Sequence, residues 1–112
     1  MSQRDDRVAL RQMLDHARRA REAGAEKSED ELRRDDLLAF ALLYLIQTVG
    51  EAAKRVSDAT RARHPEVPWQ QISGMRNRIV HGYDDLDLAI VVDVVQKDLP
   101  ELIPALESIL AE

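Results

Sequence analysis

The fold is decided by residues 37–56, LLAFALLYLIQTVGEAAKRV, whose apolar side chains recur every three to four positions. This spacing is typical of an amphipathic helix, and it extends over residues 30–63. We expect a central core helix with the face formed by Leu32, Leu37, Leu38, Ala41, Leu42, Leu45, Ile46, Val49, Ala52, Ala53 and Val56. Gly50 inside it costs about 1 kcal/mol relative to Ala. We therefore expect either a bend there or, as the better explanation, a neighbouring backbone that passes close by.

Helical patterns also precede this stretch. Residues 4–23 carry apolar positions at helical spacing, and Gly24 is a plausible end for that helix. Ser28 and Glu31 have the spacing of a capping box, so a helix should begin there. The central helix should stop at His64, because the residue before Pro65 is disfavoured in the α conformation.

The C-terminal half predicts two or three further helices. Pro68 can occupy a first turn, and an apolar stripe runs to Val80, with Gly82 as the expected end. Residues 88–95 are β-branched, but their pattern continues at helical spacing to residue 110, which favours helix over strand. Pro100 should start a fresh turn, and Pro104 should kink or shorten the last helix.

These patterns predict one domain, residues 1–112, that is all-α: an antiparallel bundle of four to five helices. The second and fourth helices carry apolar faces wider than a bundle of this size covers. A two-fold dimer is the commonest way to bury the remainder, so we expect a dimer.

Composition excludes several classes of protein. The chain has 112 residues and no cysteine, which rules out disulfides and thiolate metal sites. A net charge of −5 and an aromatic content of 4% argue against binding nucleic acid through global charge or a base-stacking platform. The start is charged rather than apolar, and the apolar run at residues 37–46 is short for a membrane span. We therefore expect a cytoplasmic protein without a membrane span or a cofactor.

The segment GMRNRIVHGYDD, residues 74–85, concentrates the side chains that can do chemistry. On an ideal helix Asn77 and His81 share a face. Arg76 lies about 140° around the helix from His81, so only its long side chain allows it to reach His81. We expect His81 in the last turn of this helix, where the helix dipole should favour its protonated form. Tyr83 should sit just beyond the helix with its hydroxyl exposed.

Cleavage of RNA without a metal needs a base for the ribose 2′-OH, an acid for the leaving 5′-oxygen and a cation for the phosphate. His81 and Arg76 supply these chemistries, since histidine titrates near neutral pH and arginine matches phosphate oxygens. Asn77 would orient His81 or hold the phosphate. A purely structural role for Arg76 and His81 also remains open, because cations near a helix C-terminus stabilise the helix without any catalysis.

Other polar residues are weaker candidates for a functional site. Asp84, Asp85 and Asp87 could bind magnesium, but a turn and helix-cap role is the better explanation. His16 and His64 are expected at the surface, and three scattered histidines make a metal site improbable.

A basic strip is the remaining candidate feature. Lys54, Arg55, Arg61 and Arg63 could form it beside Arg76 and Arg78, which makes Arg78, Lys54 and Arg55 candidate RNA contacts. Such charges are also typical of a solvated face.

The segment from Pro68 to Ile103 resembles the HepT-like group of the HEPN superfamily, whose hallmark is Arg, four residues, His, one residue, Tyr. Here these are Arg76, His81 and Tyr83, flanked by PW, GMRN and DLPELI. GEAAKR at residues 50–55 adds to the resemblance, which covers roughly residue 30 to the C-terminus. Asn77 matches the polar residue that the superfamily favours after the arginine.

The resemblance implies a HEPN-like helical fold and a metal-independent endoribonuclease, the toxin of a type VII-like toxin–antitoxin pair. It implies a homodimer with both motifs facing a shared cleft. The implied partner is an MntA-type minimal nucleotidyltransferase antitoxin, which transfers AMP onto the motif tyrosine, here Tyr83. The alternative is a non-catalytic helical module that binds the nucleotidyltransferase or its phosphate-bearing substrate.

Overall fold

The structure is a computed structural model that describes residues 3–83 and 85–112, of which residues 3 and 4 by backbone alone. Helices dominate it, and a two-stranded hairpin interrupts them. In chain order the elements are α1 (Gln3–Gly24), α2 (Glu29–Arg33), α3 (Asp36–Lys54), α4 (Asp58–Arg63), α5 (Trp69–Ser73), α6 (Met75–Ile79), β1 (Val80–Gly82), β2 (Asp85–Leu86), α7 (Leu88–Asp93), a π turn (Val94–Asp98) and α8 (Leu99–Leu110).

The core forms where α1 packs against α3 and α8. Contacts between Asp6 and Ser57 and between His16 and Thr48 show that α1 and α3 run antiparallel. The side chains that fill the interior are aliphatic, so burial of apolar surface holds the bundle together. The largest fully buried ones include Leu10, Met13, Leu42, Ile46, Leu99 and Leu106. The prediction of an all-α helical bundle is confirmed.

The expected helix over residues 30–63 is divided into α2, α3 and α4, so that prediction was wrong in its continuity. Asp35 caps α3 by accepting a hydrogen bond from the backbone N–H of Leu38, at 3.1 Å. Ser57 caps α4 in the same way through the N–H of Thr60. Side chains that bond the backbone in this manner compete with the helix interior and start new helices. The capping box of Ser28 and Glu31 is confirmed at the start of α2.

Gly50 allows α5 to approach α3 closely. A Cβ atom at this position would lie 2.9 Å from the Ile72 carbonyl oxygen and 3.4 Å from that of Ser73. The expectation that another backbone passes close to Gly50 is confirmed. This contact sets the position of α5 and of α6, which follows it.

The predicted helix over residues 68–82 ends early, so Gly82 is not its C-terminus. Gly74 separates α5 from α6, and the chain turns extended at Val80, which has φ −94° and ψ 113°. Val80 then pairs with Leu86, and Gly82 with Asp85, in an antiparallel hairpin. The β-branched pair Ile79-Val80 and the polar turn after Gly82 favour this hairpin over a further helical turn.

The last third of the chain is helical, as predicted for the β-branched residues 88–95. A π turn joins α7 to α8, with the Leu99 N–H donating to the Val94 carbonyl five residues back. Pro100 has no N–H to donate, and its ring clashes with a regular α turn before it, which accounts for the wider turn. α8 then runs for 12 residues with Pro104 inside it, so the helix is not shortened as expected.

One face of α3 is left uncovered. Leu37, Phe40 and Tyr44 recur at helical spacing and are 83%, 47% and 63% exposed. By length and composition α3 could cross a membrane, but its opposite face is buried against α1 and α5, as in the core helix of a bundle. The described residues thus cover only one side of α3, the most apolar helix.

Candidate active site

The hairpin, rather than a helix end, carries the motif. His81 lies in β1 with its side chain half exposed, and Tyr83 lies at the turn, where it is 97% exposed. Arg76 is exposed on α6. His81 comes two residues after the last helical residue, so the expectation that it lies in the last turn of a helix was wrong. The expectation of an exposed Tyr83 is confirmed.

Asp87 is the residue that the sequence reasoning missed. Its carboxylate oxygen Oδ2 lies 3.4 Å from His81 Nε2, while its Oδ1 accepts a hydrogen bond from the Ile90 N–H at 3.1 Å and caps α7. The bond from Ile90 is the main cause that lowers the pKa of Asp87. Burial opposes this shift and His81 adds to it. An ionised carboxylate therefore faces the imidazole at neutral pH.

The hairpin brings Asp87 to His81 because its base is closed by a backbone hydrogen bond. The Asp87 N–H donates to the Ile79 carbonyl at 2.7 Å, across the junction between α6 and α7. Residues six apart in sequence thus face each other. The only sequence signal was the cap role of Asp87, which did not point to His81.

Arg76 and Asn77 do not orient His81 in this structure. Within the described residues neither side chain makes a hydrogen bond or an ion pair, and both are exposed. The shared face expected for Asn77 and His81 is lost because α6 ends at Ile79. Arg76 therefore keeps its full hydrogen-bonding capacity for a ligand such as a phosphate.

The other basic candidates lie on or next to three helices, α3, α4 and α6. Lys54 pairs with Glu51 on the same helix, and Arg55 donates to Gln12 of α1. Arg61 and Arg63 belong to α4, where Arg61 donates to the Ala53 carbonyl and Arg63 to the Thr60 hydroxyl. Arg78 lies on α6 but lines a groove against Asp98. The one long helix expected to carry the strip is therefore divided, and each of the four basic side chains from residues 54 to 63 bonds to a protein group.

The acidic residues after the motif serve the hairpin and the next helix. Asp84 lies outside the described residues, Asp85 belongs to β2, and Asp87 caps α7. Among residues 3–83 and 85–112, no group of three or more His, Asp or Glu side chains is arranged to hold a metal ion. The cap role expected for Asp87 is confirmed.

The two remaining histidines are not surface residues as expected. His64 is 7% exposed, with Nδ1 3.4 Å from Glu66 and Nε2 3.4 Å from Glu112. His16 is half-buried, and its Nδ1 lies 2.6 Å from the Thr48 hydroxyl. Both expectations failed because the contacts with Glu112 and Thr48 join residues distant in sequence. His81 is the exposed histidine of the described chain.

Comparison with known proteins identifies the family of the chain. The family described as Ribonuclease HepT-like matches residues 13–109. "Putative RNase MJ1380" of Methanocaldococcus jannaschii is 26% identical over 102 residues, 91% of this chain and 94% of the relative. "Putative RNase TTE0752" of Caldanaerobacter subterraneus is 31% identical over 83 residues, 74% of each chain. "Probable ribonuclease HepT" of Thermococcus cleftensis is 31% identical over 68 residues, 61% of this chain and 62% of the relative. No solved structure matches the chain. The chain belongs to the HepT-like ribonuclease family.

Proposed function

We propose that the protein is a metal-independent endoribonuclease whose reaction depends on His81 and Arg76. The observation that carries this proposal is the His81 imidazole on an exposed hairpin, 3.4 Å from the Asp87 carboxylate and close in sequence to an arginine with no partner in the described chain. Imidazole moves protons near neutral pH, and a guanidinium binds phosphate oxygens.

In the proposed reaction the ribose 2′-oxygen attacks the neighbouring phosphorus and the bond from phosphorus to the 5′-oxygen breaks. A base takes the 2′-OH proton, an acid gives a proton to the 5′-oxygen, and the products are a 2′,3′-cyclic phosphate and a 5′-OH end. Arg76 stabilises the charge that develops on the phosphate oxygens. Asp87 holds the His81 ring in one orientation, as carboxylates do for other catalytic histidines.

A homodimer would supply a second His81, so that one imidazole acts as the base and the other as the acid. The proposal of a dimer is supported by the uncovered face of α3 formed by Leu37, Phe40 and Tyr44. Phe40 lines the same shallow pocket as Leu86 and Leu88, beside the hairpin. Pairing through this face would bring the two hairpins near each other.

The toxin role is also a proposal. Family resemblance supports a cytoplasmic type VII-like toxin paired with an MntA-type nucleotidyltransferase that transfers AMP onto Tyr83. The exposed phenol at the hairpin turn is accessible for such a transfer. The added phosphate charge and nucleoside would lie two residues from His81 and repel RNA from the site.

The test is cleavage of RNA in EDTA by wild type, His81→Ala and Arg76→Ala, with mass spectrometry showing that Tyr83 is unmodified. Arg19→Ala is a matched control, since Arg19 is an exposed arginine on α1. We expect wild type and Arg19→Ala to cleave equally, and the two site variants to lose at least a hundredfold in rate while circular dichroism shows them folded. Equal cleavage by His81→Ala, or no cleavage by unmodified wild type, would leave the non-catalytic binding module as the better function.

A further inference from the structure

A groove with polar walls lies beside α6, and Arg76 does not line it. It runs between α5 and α6 on one side and the π turn and α8 on the other, with a volume of about 160 Å³. Ile72, Met75 and Leu102 form its apolar floor. The groove is separate from the hairpin, since neither His81 nor Asp87 lines it.

Two opposite charges face this groove with unused hydrogen-bonding capacity. Arg78 and Asp98 both line it, and within the described residues neither side chain is engaged in a hydrogen bond or an ion pair. Partial burial raises the pKa of Asp98, and the attraction of Arg78 does not cancel that effect. The two groups attract each other but form no ion pair, so both can still bond to a ligand.

The remaining charges decide what kind of ligand fits. Glu66 and Glu101 also line the groove and add negative charge, whereas Asp93 and Lys97 line the adjoining pocket and pair with each other at 3.4 Å. This excess repels a phosphate. A neutral, planar group that offers hydrogen-bond donors to Asp98 and acceptors to Arg78 suits both the charge and the apolar floor.

We propose that this groove binds a guanine base of the RNA substrate. The Asp98 carboxylate accepts hydrogen bonds from guanine N1–H and the 2-amino group, and Arg78 donates to the acceptors O6 and N7. Among the four bases guanine alone presents two adjacent donors on its Watson–Crick edge, and arginine is the commonest partner of O6 and N7. This ligand class rests on the proposed ribonuclease function.

The position of the groove agrees with this assignment. Arg76 and Arg78 are two residues apart on α6, about 200° round a helix 10–12 Å across with its side chains. A strand with its phosphate at Arg76 would cross α6 to reach the groove. The guanine would then belong to a nucleotide near the scissile bond and would select where the RNA is cut.

The binding test is an NMR titration of the whole ¹⁵N-labelled chain with guanosine and inosine 5′-monophosphates, which differ only in the 2-amino group. We expect the guanine nucleotide to bind roughly tenfold more tightly and to shift groove amides. Asp98→Asn should remove that preference, while Asp15→Asn, the same charge change on exposed α1, should keep it. Asp98→Asn should fold, because burial already disfavours the Asp98 charge.

Equal binding of the two nucleotides, or shifts outside the groove, would overturn the proposal. No binding of either would also overturn it and leave the groove to a protein partner. Cleavage of RNA in which inosine replaces each guanosine separates the two proposals. Guanine-selective binding without any RNA cleavage would refute the ribonuclease function alone. Equal cleavage of the guanosine RNA and the inosine RNA, with no preference between the two nucleotides, would refute the guanine site alone.

Discussion

The contact between α3 and α5 at Gly50 links stability to the position of the site, and Gly50→Ala tests it. The added methyl group would lie 2.9 Å from the Ile72 carbonyl oxygen, a backbone atom that cannot rotate away. To relieve the contact, α5 must move away from α3. Arg76 lies on α6, directly after α5, and would move with it.

The expected magnitude is the difference between two effects. Replacing a helical glycine by alanine gains about 1 kcal/mol, whereas overpacking costs about 1–3 kcal/mol. Because the opposing atom belongs to the backbone, we expect the upper part of that cost and a net loss of about 1–2 kcal/mol. For a domain of this size the melting temperature would fall by about 4–8 °C.

The assay is thermal unfolding followed by circular dichroism, together with RNA cleavage below the transition. Gly74→Ala is the matched control, because its Cβ would meet the Gln70 carbonyl at an ordinary 3.5 Å. We expect Gly50→Ala to unfold at lower temperature and to cleave RNA more slowly, and Gly74→Ala to keep its melting temperature within about 2 °C. A rise in the melting temperature of Gly50→Ala would refute the reasoning, since it would mean that α5 adjusts freely.

Three further predictions follow from contacts described above. Asp87→Asn keeps a helix-capping side chain but removes the charge beside His81. The cleavage rate should therefore fall roughly tenfold and the pH profile of cleavage should shift, while the melting temperature stays unchanged. Asp87→Ala should lower both the cleavage rate and the melting temperature. Burial raises the pKa of Asp6, but hydrogen bonds from Ser57 and Thr60 outweigh burial and lower it. The Asp6 charge therefore stabilises the fold above about pH 4, and this contribution is lost as the pH falls below that. Asp6→Asn should therefore cost about 1–2 kcal/mol in urea unfolding at pH 7 and less at pH 3. Phe40→Lys should give a monomer by light scattering and slow cleavage, whereas Val8→Lys, which changes an exposed apolar residue on α1, should do neither.

Each prediction has a result that would contradict it. Loss of activity in Asp87→Asn together with a lower melting temperature would assign Asp87 a structural role only. A penalty for Asp6→Asn that does not depend on pH would mean that the Asp6 charge does not stabilise the fold. A dimer that persists in Phe40→Lys would exclude the α3 face as the interface.

The positions and types of most helices could be predicted, because their apolar spacing is a local property of the chain. Ser28 and Glu31 predicted a helix start correctly. Ser57 and Asp35 have the same capping chemistry, yet they lie within a continuous apolar pattern that masks the breaks. Ser57 caps α4, and its N–H and hydroxyl donate hydrogen bonds to Asp6, which is 51 residues away. Such long-range contacts leave no local signal.

The geometry of the candidate site could not be predicted from the sequence. Arg76, His81 and Tyr83 were identified from their types and spacing, while the helix assumed to hold them ends at Ile79. Gly82 suggested a helix end, although the turn that follows it serves a hairpin. The burial of His64 also depends on distant residues, since the Trp69 indole donates to its carbonyl and Glu112 lies beside its ring.

The closed base of the hairpin has an evolutionary consequence. The bond from the Asp87 N–H to the Ile79 carbonyl fixes both ends of the loop that carries His81 and Tyr83. Residues inserted at the tip would lengthen the loop without moving α6 or α7, whereas a deletion at the base would pull the cap away from α7. An insertion after Tyr83 would thus keep Arg76, His81 and Tyr83 at their sequence spacing, while the helices on either side set the distance in space between Ile79 and Asp87.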